Sequence, residues 1–261
     1  MTSSSKLKVK VHSSQEIEGI RTAAAKAAWV RDCVAQGIKP GMSTLEIEEK
    51  AEELIRECSG KPAFHNYQGF PGKICISVND EVVHGIGTKS RYIQPGDLVS
   101  LDIGVNYKGF IGDNATTVSV GPPRYPRVQE LLEATKQSLA NGIEAARCGA
   151  KVGAIGQAVE AVATSYGFSI VREFVGHGCG CELHEPPEVP NFGTPDRGPE
   201  LQAGMVLAIE PMFNMGSGRV EVDENDGWTV RTSDGSLSAH FEHMVLIEKN
   251  NTEILTWQKK R

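Results

Sequence analysis

The segment Ile93-Gln94-Pro95-Gly96-Asp97-Leu98-Val99-Ser100-Leu101-Asp102 returns at an offset of 108 residues as Leu201-Gln202-Ala203-Gly204-Met205-Val206-Leu207-Ala208-Ile209-Glu210. At the same offset Gly41 meets Gly149, Ile47 meets Ile155, Ala51 meets Val159 and Leu54 meets Val162. Helical matches of this kind recur in any amphipathic pattern. The match of turn, apolar strand and terminal acid does not, and a fixed period commits the chain to two copies of one unit. Each copy reads as helix, helix, hairpin. Ser13 with Glu16 and Ser43 with Glu46 are capping boxes that open helices ending near Gly37 and Gly60. Pro126 to Cys148 and Val152 to Tyr166, stopped by Gly167, supply the second pair. Ile74 to Val78, Phe168 to Val175 and Phe241 to Glu248 read as strands, and Asp97 to Val120 as a hairpin around Asn106-Tyr107-Lys108-Gly109. The expectation is an α+β chain of two pseudo-symmetric halves. Residues 1–12 form a flexible N-terminal tail and 13–261 a single domain, since no low-complexity linker interrupts them.

Both copies of the repeat end in an acid that does not belong in a strand. Asp102 follows Val99-Ser100-Leu101, and Glu210 follows Val206-Leu207-Ala208-Ile209. Carboxylates in such surroundings are costly unless paired or bound to a cation. A turn centred between Tyr107 and Lys108 sets Asp102 directly opposite Asp113, with Cβ atoms about 5 Å apart. Opposed like charges call for something positive between them. In the second half the return strand answers Glu210 with Glu242. Solvated edge acids are the bland alternative.

His177 lies in Gly176-His177-Gly178-Cys179-Gly180, where glycines on both sides let the backbone turn an imidazole inward as ligand or base. Four carboxylates and one imidazole form a hard, oxygen-rich set suited to Mn, Fe(II), Co or Zn. Four negative charges balance two divalent ions, so a dinuclear centre follows. Cys179-Gly180-Cys181 lacks the companion pair of a zinc knuckle, and Gly85-Ile86-Gly87 lacks the spacing of a dinucleotide loop.

Composition excludes other classes. With 27 Lys+Arg against 33 Asp+Glu the net charge is −6, which is no footprint for nucleic acid. No apolar stretch approaches a membrane span and no secretory h-region is visible. Six scattered cysteines in a chain of 261 residues read as reduced thiols of a cytoplasmic protein. The Lys6-Leu7-Lys8-Val9-Lys10 run reads as a solvated tail, with contact to ribosomal RNA as the alternative.

With His84 in Asn79-Asp80-Glu81-Val82-Val83-His84-Gly85-Ile86, these motifs resemble those of the type I methionine aminopeptidases. The resemblance runs from about residue 13 to 257 and rests on Leu101-Asp102-Ile103-Gly104, Gly112-Asp113, Gly176-His177-Gly178, Ile209-Glu210-Pro211-Met212 and Phe241-Glu242-His243. It implies a pita-bread fold, two pseudo-symmetric halves around a central antiparallel sheet. It also implies the same five metal ligands, with Asp102 chelating one ion, His177 and Glu210 favouring the other, and Asp113 and Glu242 bridging. The implied reaction releases methionine from nascent polypeptides when the second residue is small, through a water or hydroxide between two metals, Glu210 moving its proton. The implied role of His84 is a hydrogen bond near the scissile amide, and that of His184 is stabilising the tetrahedral intermediate. Tyr67, Phe70, Cys75 and Trp228 would line the methionine pocket. Phe64 stands where many bacterial relatives carry a smaller residue, and Leu183 where they carry an aromatic. A monomer is expected, acting on the N-terminal methionine of nascent chains, with transient ribosome contact as a further expectation. Two competing readings are an Xaa-Pro peptidase of the same fold, which usually adds an N-terminal domain, and a metal-free binding protein, which would have lost ligand acids.

Overall fold

Ser13 and Glu16 cap α1 (Ser14–Gly37) reciprocally, side chain to backbone, and Ser43 and Glu46 do the same for α2 (Thr44–Glu57). The second pair of helices is α3 (Pro126–Ala145) and α4 (Val152–Tyr166), the latter closed by Gly167 in the left-handed region. The structure, a computed structural model, describes residues 9–257. The strands of the first half are β1 (Lys61–Pro62), β2 (Cys75–Val78), β3 (Glu81–Val83), β4 (Leu98–Tyr107) and β5 (Phe110–Ser119). Those of the second are β6 (Ser169–Ile170), β7 (Gly176–Gly178), β8 (Glu185–Val189), β9 (Val206–Ile209), β10 (Met212–Asn214), β11 (Val220–Val222), β12 (Val230–Thr232), β13 (Ser238–His240), β14 (His243–Ile247) and β15 (Thr252–Ile254). All their pairings are antiparallel.

The repeat is written into the hydrogen bonds. Gly41 N–H donates to Ile93 O at 2.8 Å, and Gly149 N–H to Leu201 O at 2.8 Å. Isolated bridges join Ser43 to Tyr92 and Lys151 to Glu200, each partner displaced by 108 residues. Lys61 pairs with Asn106 as Ser169 pairs with Asn214. Each half also has its own core, one around Ile47, Ile55, Leu101 and Ile103, the other around Ile155, Val159, Leu207 and Ile209. A third apolar cluster, containing Phe64, Phe70, Cys75, Leu183 and Met244, borders the cavity between the halves.

The halves diverge where the sequence inserts. β4 runs unbroken for ten residues, whereas its counterpart stops at Ile209, skips Glu210-Pro211 and resumes as β10. Pro211 cannot donate to a ladder. The return strand β14 comes only after β11, β12 and β13, so the second half is not a simple hairpin. The expected strand over Phe168 to Val175 is confined to Ser169–Ile170; the rest is irregular. The halves are joined along β5, where Glu242 N–H donates to Ala115 O at 3.1 Å and His240 N–H to Thr117 Oγ1 at 2.8 Å.

Two expectations need correction. The β4–β5 turn comprises Lys108 and Gly109, both at positive φ (54 and 87), so the strands pair up to Tyr107 and Phe110. Asp102 therefore faces Ala115, and Asp113 faces Gly104. The two acids are diagonal neighbours on one face rather than directly opposed. Residues 9–12 do not form a free tail: His12 N–H donates to Gly204 O at 2.9 Å, its Nε2 stands 3.2 Å from Glu185, and Val9 packs on the second core. The lysine run is described only at Val9 and Lys10, the latter 3.5 Å from Glu185; residues 6–8 lie outside the described residues.

Candidate active site

Five strands converge on one cavity of about 200 Å³. Asp102 reaches it from the middle of β4, between Cys75 on β2 and Ala115 on β5. Asp113 comes from β5 and His177 from β7, opposite Ala208. Glu210 directly follows β9, its carbonyl held by Asn191 Nδ2 at 3.0 Å, and Glu242 immediately precedes β14. Extending the β9–β14 register by one residue sets Glu242 opposite Glu210.

The side chains close in on one another. His177 Nε2 lies 3.4 Å from Glu210 Oε1 and 3.9 Å from Asp113 Oδ2. Asp113, His177 and Glu242 each offer a ligand atom within 4.8 Å of the others. His177 Nδ1 is 2.9 Å from the Gly178 carbonyl, which can only accept, so the ring proton sits on Nδ1 and the Nε2 lone pair faces the carboxylates. Lone pair against carboxylate oxygen is repulsive unless a proton or a cation lies between. Asp102 Oδ1, Asp113 Oδ1 and Glu242 Oε1 are buried without a hydrogen-bond partner among the described residues. Oxygens left orphaned like this, beside a histidine fixed in its ligating tautomer, fit a divalent metal.

Electrostatics agree. Burial, reinforced by repulsion from neighbouring acids, pushes the carboxyls of Asp102, Asp113, Glu210 and Glu242 well above the usual carboxylate range. Burial, with His184 nearby, pulls His177 down to about 3 and His84 to about 4, so both rings are neutral at pH 7. Acids that must lose protons and imidazoles already neutral are what a cation needs from its ligands.

Around this floor stand the other residues singled out in the sequence. Tyr67, Phe70, Cys75, His84, His184 and Trp228 all line the same cavity, together with Phe64 and Leu183. The Tyr67 hydroxyl is 3.0 Å from His184 Nδ1, and the His184 ring meets His177 edge-on at 4.1 Å. Phe70 and Trp228 pack edge-on at 5.3 Å. His84 sits in the left-handed region (φ 59), a conformation costly for a residue with a side chain, and its ring meets Phe174 at 5.5 Å. The cavity also takes in Gln68, Val83, Phe174 and Val175, which sequence reasoning missed. Reading 168–175 as a regular strand hid Phe174 and Val175. His240 was missed too. It is 1% exposed, with Nε2 3.6 Å from Glu210 Oε2, and the signal available was its two-residue spacing from Glu242 on an extended segment.

Comparison with known proteins follows the same lines. The model of metallopeptidase family M24 matches residues 18–249. A methionine aminopeptidase of Aquifex aeolicus is 46% identical over 257 residues, covering 95% of this chain and 98% of that one. The crystal structure of a methionine aminopeptidase from Thermotoga maritima superposes with a TM-score of 0.93 at 41% identity, covering 96% of this chain and all of the other. A prolidase from Pyrococcus furiosus, of which the match covers 66%, shares the fold at a TM-score of 0.76 and 24% identity. Built on the pita-bread fold of two pseudo-symmetric halves, the chain belongs to metallopeptidase family M24, in its methionine aminopeptidase branch.

Proposed function

We propose that this chain removes the N-terminal methionine from polypeptides whose second residue is small, using two divalent ions held by Asp102, Asp113, His177, Glu210 and Glu242. The observation that carries the reading is the set of orphaned buried oxygens on Asp102, Asp113 and Glu242 beside the His177 lone pair. They form the floor of a cavity whose walls are Tyr67, Phe70 and Trp228. Ions bound there would polarise the scissile carbonyl and lower the pKa of the attacking water. Glu210, with one carboxylate edge toward the cavity, accepts that water's proton and passes it to the departing amine. His84 and His184, neutral and lining the same cavity as the acids, supply hydrogen bonds to the scissile amide and to the developing oxyanion. The aromatic walls and the Cys75 thiol make a soft, apolar slot for a thioether, with Phe64 and Leu183 setting its depth. Six free cysteines fit a protein working in the reducing cytoplasm, on chains emerging from synthesis.

A panel of Met-Ala-Ser, Met-Leu-Ser, Leu-Ala-Ser and Ala-Pro-Ser, with Mn(II) or Co(II) added, tests the reading. Free methionine should come from Met-Ala-Ser alone and vanish on chelation. Release from Ala-Pro-Ser alone would move the chain to Xaa-Pro peptidase chemistry. No release from any peptide in a metal-loaded sample would refute the pocket assignment, and no metal uptake would favour a binding protein.

A further inference from the structure

Glu210 is flanked by two imidazoles, not one. His177 Nε2 faces Oε1 at 3.4 Å, and the Nε2 of His240, which does not line the cavity, faces Oε2 at 3.6 Å. His177 was expected from its glycine-bracketed loop; nothing above gives His240 a role. It is buried to 1% exposure, and its Nε2 has no hydrogen-bond partner among the described residues. A histidine that served only to fill the core would have that nitrogen satisfied or turned to an apolar neighbour. Here the nearest anionic group is a carboxylate oxygen a few tenths of an ångström beyond hydrogen-bond length.

The backbone under His240 is unusually constrained. Its N–H donates to Thr117 Oγ1 at 2.8 Å, and Thr117 Oγ1 is also 2.8 Å from the His240 carbonyl. Ser100 Oγ lies 2.8 Å from the same Thr117 hydroxyl, which ties the position to β4 as well as β5. At its other end, β13 pairs His240 with Met212, two residues past Glu210. The backbone of His240 is thus anchored to the strands that carry Asp102 and Asp113, while the ring's Nε2 approaches the carboxylate of Glu210, just past β9.

We propose that His240 is a positioning residue for Glu210: its Nε2–H engages Oε2, leaving Oε1 as the oxygen presented beside His177 to the metal and the substrate. A carboxylate with one oxygen so held cannot rotate or bind a cation through both oxygens at once. That fixes the direction in which Glu210 meets a metal and a proton. The proposal rests on the metallopeptidase reading only in assigning Glu210 to a metal, and metal binding can be measured without turnover.

The test compares His240→Leu, which fills similar volume without a donor, with His240→Gln, which keeps an N–H at comparable reach. Co(II) is titrated into each chelator-treated protein by calorimetry, and kcat and KM for Met-Ala-Ser are measured separately. His240→Leu should bind Co(II) about 10–100-fold more weakly, lose kcat and keep KM, and His240→Gln should recover most of both losses. Should the leucine variant fail to fold, His240→Asn, too short to reach Oε2, takes its place with the same expectation. Wild-type Co(II) affinity in the leucine or asparagine variant would overturn the proposal. So would a glutamine variant as impaired as leucine, because packing rather than a donor would then be at stake. If the wild-type protein releases no methionine while His240→Leu still weakens Co(II) binding, the positioning role stands and the aminopeptidase reading falls.

Discussion

Glu210 stands at a point where the second copy of the repeat departs from the first. Pro211 ends the ladder, Asn191 ties down the carbonyl, and the side chain is left between His177 and His240 with no hydrogen bond of its own among the described residues. Replacing it with glutamine keeps the shape and removes both a proton acceptor and a metal charge. Glu210→Gln should therefore lower methionine release by about 10²–10⁴-fold, the usual worth of a general base, without a fall in melting temperature. A rate near wild type would remove Glu210 from the chemistry. The acids of this site were legible in the sequence because charge inside apolar strands contradicts the pattern around it. His240 was not, because a lone histidine beside apolar residues reads equally well as core, and only coordinates show which atom it faces.

Register was the part of each element least legible in the sequence. Placing the turn one residue early shifts every cross-strand partner by two, so Asp113 was expected opposite Asp102 and is found opposite Gly104. A shift of two preserves the face of the sheet, whereas a slip of one would have sent Asp113 away from the cavity. The placing of Asp102 and Asp113 at one cavity could thus be read from an incorrect pairing. The helices were easier, since capping boxes and Gly167 mark their ends with local chemistry. What places Asp113 in depth is its neighbour: a Cβ on Gly112 would run into the Ala23 carbonyl of α1, so the helix backbone rests directly on β5. Gly112→Ala should cost about 1–3 kcal/mol by overpacking, read as a lower denaturation midpoint. It should also weaken metal uptake, because β5 must move to admit the methyl group. Unchanged stability would mean that α1 has room to retreat.

At the scale of the whole molecule, folding gathers four carboxyls from both halves into one buried cluster, and the metal-free protein bears the consequence. Their folded pKa values lie above the ordinary range, chiefly through burial. Groups shifted in that direction stabilise the fold below their unfolded pKa, and the contribution is lost as pH rises through the folded one. The buried histidines run the opposite way. Held below the ordinary 6.5, His84, His177, His240 and His243 contribute stability that is complete above that pH and lost on acidification. In the window around pH 7.5, about one unit above the unfolded histidine pKa and about one below that of a thiol, imidazoles and thiols are mostly neutral even in the unfolded chain, so the acids dominate the slope. Chelator-treated protein should therefore lose stability across that window, by up to about 1.4 kcal/mol per pH unit for each acid protonated only in the folded state. Saturating Mn(II) should flatten or reverse the slope, since a bound cation favours the ionised carboxylates, and its binding should release protons to the buffer. Glu48 and Glu81 are raised by burial as well, but they lie outside the cluster, so only the metal-reversible part of the slope belongs to the site. A metal-free melting temperature that stays level around pH 7.5 would show that the four acids are already ionised in the folded chain. The orphaned oxygens would then have to be satisfied by water rather than by protons awaiting a metal.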